Sequence, residues 1–235
     1  MVLPGRRRER SPAAHQADWL LWQIADSAFP AGGFAHSSGL EAAWQQGEVR
    51  GGVELAGFSL ESLRQCGAGS VPFVLAAHRD PGRLSELDRQ CDCFLANHVA
   101  NRASRLQGRA WWSSARRIFG QAPLAGLGQA EPSLLPCYHL APVFGAVLRS
   151  LGTESETASR LFVFLHLRNL IASAVRLGIV GPLEAQAVQH RLGPALEEVV
   201  TRCRRLAAEE VAQTAPLIDL WQGTQDRLYS RLFQS

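Results

Sequence analysis

There is no lysine in these 235 residues; all 24 basic side chains are arginine. A phosphate loop of the GxxxxGK[ST] kind needs a lysine, so nucleotide hydrolysis by that device is excluded. Arginine offers a planar fork of donors that suits carboxylates at interfaces, although a genome that favours arginine codons gives the same composition. The 21 acidic residues nearly balance the basic ones, for a formal net charge of +3. A nucleic-acid-binding stripe wants higher net charge and aromatics free to stack, so the chain is not expected to bind nucleic acid. Cysteine is sparse and odd in number: Cys66, Cys91, Cys93, Cys137 and Cys203. No CxxC pair occurs, and Cys91 and Cys93, two apart, do not share a helix face. They are expected as reduced, mostly buried thiols of a cytoplasmic protein. The seven histidines make no HxH or HExxH pattern, so no metal centre is expected from spacing. Sustained period-two alternation and solenoid repeats are missing too, which leaves helices as the building material.

What is present suits a folded helical domain. The chain is long enough to bury a sizeable core without staples, and at 46% hydrophobic and 19% charged it has an ordinary globular composition. Residues 1–17 are basic, contain proline and lack periodicity, so they are expected as a disordered extension with no secretory signal; residues 18–235 form the helical domain. The most apolar window, Leu161 to Val180, approaches the length of a membrane span. His166, Arg168, Asn169 and Arg176 interrupt it, so a buried central helix is expected and no membrane association.

The helices are punctuated by glycine and proline. A first helix starts near Trp19, with Asp18 as N-cap, and stops at Phe29-Pro30-Ala31-Gly32-Gly33. Ser37 or Ser38 is expected to cap a second, short helix through Trp44. A segment of helical spacing through Leu55, Phe58, Leu60 and Leu63 is expected after Gly51-Gly52, ended by Gly67-Ala-Gly69, and another helix from Ser70 with Pro72 through Ala76. Another helical pattern runs from Leu84 to Ile118, with a break near Asn97 or Asn101. Gly120 to Pro136 reads as a long loop. Leu140 to Leu151 follows, then Thr153-Glu-Ser-Glu156, which has the form of a capping box for the central helix. Pro182 opens the next helix, helical spacing resumes after Gly193-Pro194 through Leu206, and Pro216 interrupts it before a final short amphipathic piece that ends at Ser235. The expected fold is all-α, a single-domain bundle of about eight to ten helices around Phe162 to Leu177.

Several residues invite a functional reading. Gly32-Gly33 lets the backbone turn tightly or approach another element closely, and Phe34 beside it packs inward or presents an aromatic anchor. His36 next to Ser37 hints at a nucleophile and base, although adjacency does not make that geometry. Arg102, Arg105 and Arg109 form a stripe on one helix face, suited to protein contact or solvation. Arg168 and Arg176 lie in an apolar helix and need acceptors, either as anchors for a loop or helix end or at a subunit interface. The tail from Leu217 to Ser235 is apolar enough that it must dock, on this chain or on another.

In order along the chain, several stretches carry a resemblance. They are Leu20 to Ala42 with Pro30, Gly32-Gly33-Phe34, Ser37 and Gly39-Leu40-Glu41; Asn101-Arg-Ala-Ser-Arg105-Leu-Gln-Gly108-Arg109; and Tyr138-His139-Leu-Ala-Pro142-Val-Phe-Gly145. Ser173-Ala-Val-Arg176-Leu-Gly, Gly181-Pro-Leu-Glu-Ala-Gln186 and the ending Ser230-Arg231-Leu232-Phe233-Gln234-Ser235 follow. Together they resemble the UreF family of urease accessory proteins. The basic extension, the Gly126–Gly128 loop and Pro182 depart from that pattern. The resemblance implies an all-helical, dimeric, non-enzymatic scaffold. It would bridge a UreD/UreH-type protein to the nickel-carrying UreG-type GTPase and serve the urease apoprotein, with no nucleotide and no permanently held nickel of its own. The residues expected to bind partners, from the resemblance and from the apolar-helix arginines and the tail, are Gly32, Gly33, Phe34, His36, Arg168, Arg176, Tyr229, Ser230, Arg231, Leu232 and Phe233. Leu232 and Phe233 are expected to bury themselves in the UreD-type partner and to matter little for the fold. Two other readings stand beside this one: a metallochaperone holding nickel through His36, His139 or the cysteines, and a helical hydrolase using Ser37 and His36.

Overall fold

Twelve α-helices follow one another in the computed structural model, which describes residues 12–128 and 137–235; none of these is in a strand. In chain order they are α1 (Pro12–Ala25), α2 (Leu40–Gln45), α3 (Gly52–Gly69), α4 (Val71–Arg79), α5 (Leu84–Phe94) and α6 (His98–Ile118). Then come α7 (Ala125–Gly128), α8 (Leu140–Ser150), α9 (Ser155–Arg176), α10 (Pro182–Arg191), α11 (Gly193–Cys203) and α12 (Pro216–Thr224). Arg6 to Arg8 and the 129–136 part of the expected long loop lie outside the described residues. Residues 125–128 of that loop make the single turn of α7.

The first helix opens at Pro12, six residues before the expected N-cap Asp18. Proline suits the first turn of a helix and Ala13-Ala14 favour its continuation, which outweighs the capping preference of Asp18. The expected break between α5 and α6 falls at Asn97, whose side chain accepts from the amides of Val99 and Ala100 at 3.0 and 3.3 Å. Asn101 sits one turn inside α6 and donates to Asp92 Oδ1 and to the carbonyls of Asp92 and Leu95, tying off the end of α5. Two expected caps are not formed. Gly39, in the left-handed region at φ 87°, precedes α2 instead of a serine, and Ser37 Oγ reaches the Glu41 amide at a long 3.4 Å. Before α9 the N-cap position belongs to Glu154, without a side-chain bond, while Thr153 is buried and its carbonyl accepts from His78 Nε2 at 2.7 Å.

Helix α9 is the centre, with α1, α2, α3, α4, α8, α10 and α11 packed around it. By length and composition it could cross a membrane, but 61% of its apolar window is buried inside the fold, the signature of a core helix. An aromatic chain crosses the interior from Phe29 to Trp111 (5.1 Å), Phe144 (4.9 Å) and Phe162 (5.2 Å), joining the end of the first loop to α6, α8 and α9.

Two helical glycines set the tightest approaches. A methyl group at Gly145 of α8 would collide with the backbone of Val74 in α4, and one at Gly108 of α6 with the backbone of Tyr138 and His139 leading into α8. The backbones therefore approach as only glycine permits. The same lead-in is held from below by Asp88 of α5, fully buried, whose carboxylate accepts from the amides of Cys137, Tyr138 and His139 at 2.7–3.0 Å.

Candidate partner-binding surface

Between α1 and α2 the chain makes a loop whose backbone needs both glycines, for different reasons. Gly32 adopts φ 76°, the left-handed conformation that glycine takes without a Cβ penalty. Gly33 is buried against α9, where a Cβ would run into the side chain of Asn169. The expectation of positive φ and close approach is thus divided between the pair. Residues Gly33–Ala35 form a 3-10 turn that turns the Phe34 ring outward, 68% exposed.

The end of the chain returns to this loop. Gln234 donates its amide to the Ala35 carbonyl, and the Ser235 carbonyl accepts from both the amide and the hydroxyl of Ser37. His36 Nδ1 and Ser235 Oγ share a hydrogen bond of 2.6 Å. Burial first, and Arg102 second, push His36 from 6.5 down to about 4, so at neutral pH it is uncharged. Ser37 Oγ and His36 are thus both occupied by the tail, and the hydrolase reading finds no dyad here.

Glu41, 1% exposed, holds the other half of the tail. Its two carboxylate oxygens accept from the amides of Leu232 (2.6 Å) and Phe233 (3.1 Å) and from Gln225 Nε2 (2.6 Å). Gln45 adds a bond from its amide to the Ser230 carbonyl, and Arg231 pairs with Asp226 at 3.3 Å. Asp226 is also gripped by Arg102 through two bonds of 2.8 and 3.1 Å, so one arginine of the α6 stripe is engaged within the chain.

Arg176, the last residue of α9, locks loop and tail together. Its guanidinium lies 3.7 Å from the Phe34 ring centroid and 4.3 Å from that of Phe233, and Nη1 donates to the Phe34 carbonyl. Stacking between two rings suits the planar, weakly hydrated guanidinium. Arg168, two turns earlier, does something else: its Nη1 donates to the carbonyls of Ala25 and Asp26 at 2.7 and 3.0 Å, satisfying the open C-terminus of α1. Beneath the loop, Gly33, His36, His166, Arg168 and Asn169 line a cavity of about 180 Å³.

The structure therefore brings Gly33, Phe34, His36, Arg176, Ser230, Leu232 and Phe233 into one place, with Arg231 beside it on Asp226. Gly32 shapes that place from within and Arg168 braces it at one remove. Phe233 is 3% exposed, spent on this chain's own interior. Phe34, Leu232 (52% exposed) and Tyr229 (fully exposed) are what the patch shows to water. Sequence reading did not pick out Glu41 and Gln225, although Glu41 stands in the Gly39-Leu40-Glu41 stretch. A lone acid at the start of a short helix gives no sign that it will be buried against backbone amides almost two hundred residues away.

The described chain is a helical body whose marked residues close a loop against its own tail and leave aromatic and aliphatic groups exposed around that closure. Comparison with known proteins gives the assignment. Residues 49–193 match the UreF family model. The chain is 38% identical to urease accessory protein F of Arabidopsis thaliana over 96% of its length and 95% of the relative's. It is 37% identical to that of Oryza sativa subsp. indica over 92% and 84%. It is 30% identical to urease accessory protein UreF of Mycobacterium tuberculosis (strain ATCC 25618 / H37Rv) over 92% and 98%. The chain belongs to the UreF family of urease accessory proteins.

Proposed function

We propose that this chain is a non-catalytic scaffold in urease maturation, bridging a UreD/UreH-type accessory protein and a UreG-type GTPase so that their complex inserts nickel into the urease apoprotein. The observation that carries the reading is the composite patch: two segments almost two hundred residues apart are fastened by Glu41, Ser37 and Arg176, and large apolar side chains remain exposed at its edge. Burying one such side chain in a partner contributes about 1.5–3 kcal/mol, so Phe34, Tyr229 and Leu232 suffice for a specific contact when pre-positioned. On this reading the UreD/UreH-type protein takes the patch. The chain works in the cytoplasm as a homodimer, without nucleotide, nucleic acid, membrane or a permanently held nickel ion. The test is co-expression of the tagged chain with both partners. Recovery of the UreD/UreH-type protein, and of the GTPase only in its presence or together with it, is expected. Recovery of neither contradicts the proposal.

A further inference from the structure

A second cluster lies away from the patch, where α5, α6 and the lead-in to α8 meet. Asp92, Cys137 and His139 each bring one donor atom there, and the three atoms lie within 4.8 Å of one another. The geometry points to an exchangeable binding site for a borderline divalent transition-metal ion, with Asp92 Oδ1, Cys137 Sγ and His139 Nε2 as its protein ligands and a further position open to solvent. Thiolate, imidazole and carboxylate together are the donor set of zinc, cobalt or nickel, and not of calcium or magnesium.

The surroundings are those of a prepared site. His139 is fully buried, and its Nδ1 is engaged by Ser104 Oγ at 3.1 Å, which orients the ring and leaves Nε2 facing Asp92 Oδ1 at 3.1 Å. Orientation of a ligating imidazole through its second nitrogen is the usual outer-shell arrangement. Asn101 steadies Asp92 with a bond of 2.9 Å, and Asp88 fixes the backbone of Cys137 and His139. Asp92 keeps 38% of its side chain exposed, which supplies an entry path. Ligand atoms around a tetrahedral ion stand about 3.3–3.6 Å apart; His139 Nε2 and Asp92 Oδ1, at 3.1 Å, already stand at nearly that spacing, and any wider separation within the 4.8 Å cluster closes by at most about 1 to 1.5 Å on binding. The Cys137 proton leaves to water as the metal–sulfur bond forms. The ion competes with the proton for the sulfur, so affinity weakens in acid.

The site does not depend on the scaffold proposal: a chain that captured no partner would still bind the ion. The probe is Co2+ titrated into the reduced full chain at neutral pH. Wild type should develop a thiolate-to-cobalt charge-transfer absorption that saturates at one ion per chain. Cys137→Ser should abolish that band while keeping the metal-free circular dichroism of wild type. Cys93→Ser, which removes the exposed cysteine one residue from Asp92, should leave it intact. Asp92→Asn should weaken binding at least tenfold. Should Cys137→Ser fail to fold, the Asp92→Asn comparison decides. No saturable band, a band that survives Cys137→Ser, a band lost in Cys93→Ser, or unchanged affinity in Asp92→Asn would overturn the assignment.

Discussion

Glu41 shows how much one residue organises. A buried carboxylate with no cation against it among the described residues is tolerated because three donors converge on it. Replacing it with alanine should cost about 1–3 kcal/mol, the ceiling being the free energy of tail release, since a detached tail hydrates its own amides. Hydrogen exchange should show the Leu232 and Phe233 amides opening well before the α9 amides; unchanged protection there would mean the tail is held by something else. Histidine gives a second test. Burial pushes both His36 and His166 from 6.5 down to about 4. Between those values the unfolded chain binds protons that the folded chain refuses, so stability is full above about pH 7 and falls as the pH drops below 6.5. Urea unfolding at about pH 5.5 should show roughly 1 kcal/mol less stability per histidine than at about pH 7.5. Replacing His166 with asparagine should remove its share of that dependence and leave the share of His36 and of His139, which burial also holds below its ordinary value. The histidine positions were visible in the sequence but their titration was not, because burial is set by helices distant along the chain.

At the scale of helices, the periodic pattern and its glycine–proline punctuation located α3, α4, α8, α9, α10 and α11, since each needs only local information; α12 opens at Pro216, expected only as an interruption, and ends at Thr224, well short of Ser235. The caps were less legible. Ser37 is drawn away from α2 by the carbonyl of Ser235, so a tertiary partner overrode the local capping preference there, while before α9 the helix starts one residue late, with Glu154 as its N-cap. Glycines inside helices illustrate the same limit, because sequence does not say which are tight. A Cβ at Gly145 meets the Val74 backbone, whereas one at Gly57, exposed on α3, meets nothing. Gly145→Ala should therefore destabilise by about 3 kcal/mol, and Gly57→Ala should stabilise by about 0.5–1 kcal/mol, both read by urea midpoint. Equal effects of the two would refute the close crossing of α4 and α8. The tail needs a correction at this scale. Its apolar character was plain, but its expected independence from the fold was not found. With Phe233 buried, deleting Tyr229 to Ser235 should lower the melting temperature; an unchanged value would contradict the observed docking.

For the whole molecule, the central claim is that loop and tail, closed by Arg176, form one docking surface for the UreD/UreH-type partner. Truncating the tail tests this poorly, because it damages the fold as well. The exposed rim outside the Arg176 stack separates the two roles, since Tyr229 and Leu232 contribute little to the interior and, unlike Phe34, do not stack on Arg176. The most direct measurement is the dissociation constant of the UreD/UreH-type partner from the double variant Tyr229→Ala, Leu232→Ala, beside wild type, with melting curves of both. The account predicts melting close to wild type and binding weakened at least a hundredfold, since losing two buried contacts of about 1.5 kcal/mol each exceeds that factor. Wild-type affinity in a variant that melts like wild type would place the partner elsewhere on the protein and contradict the account.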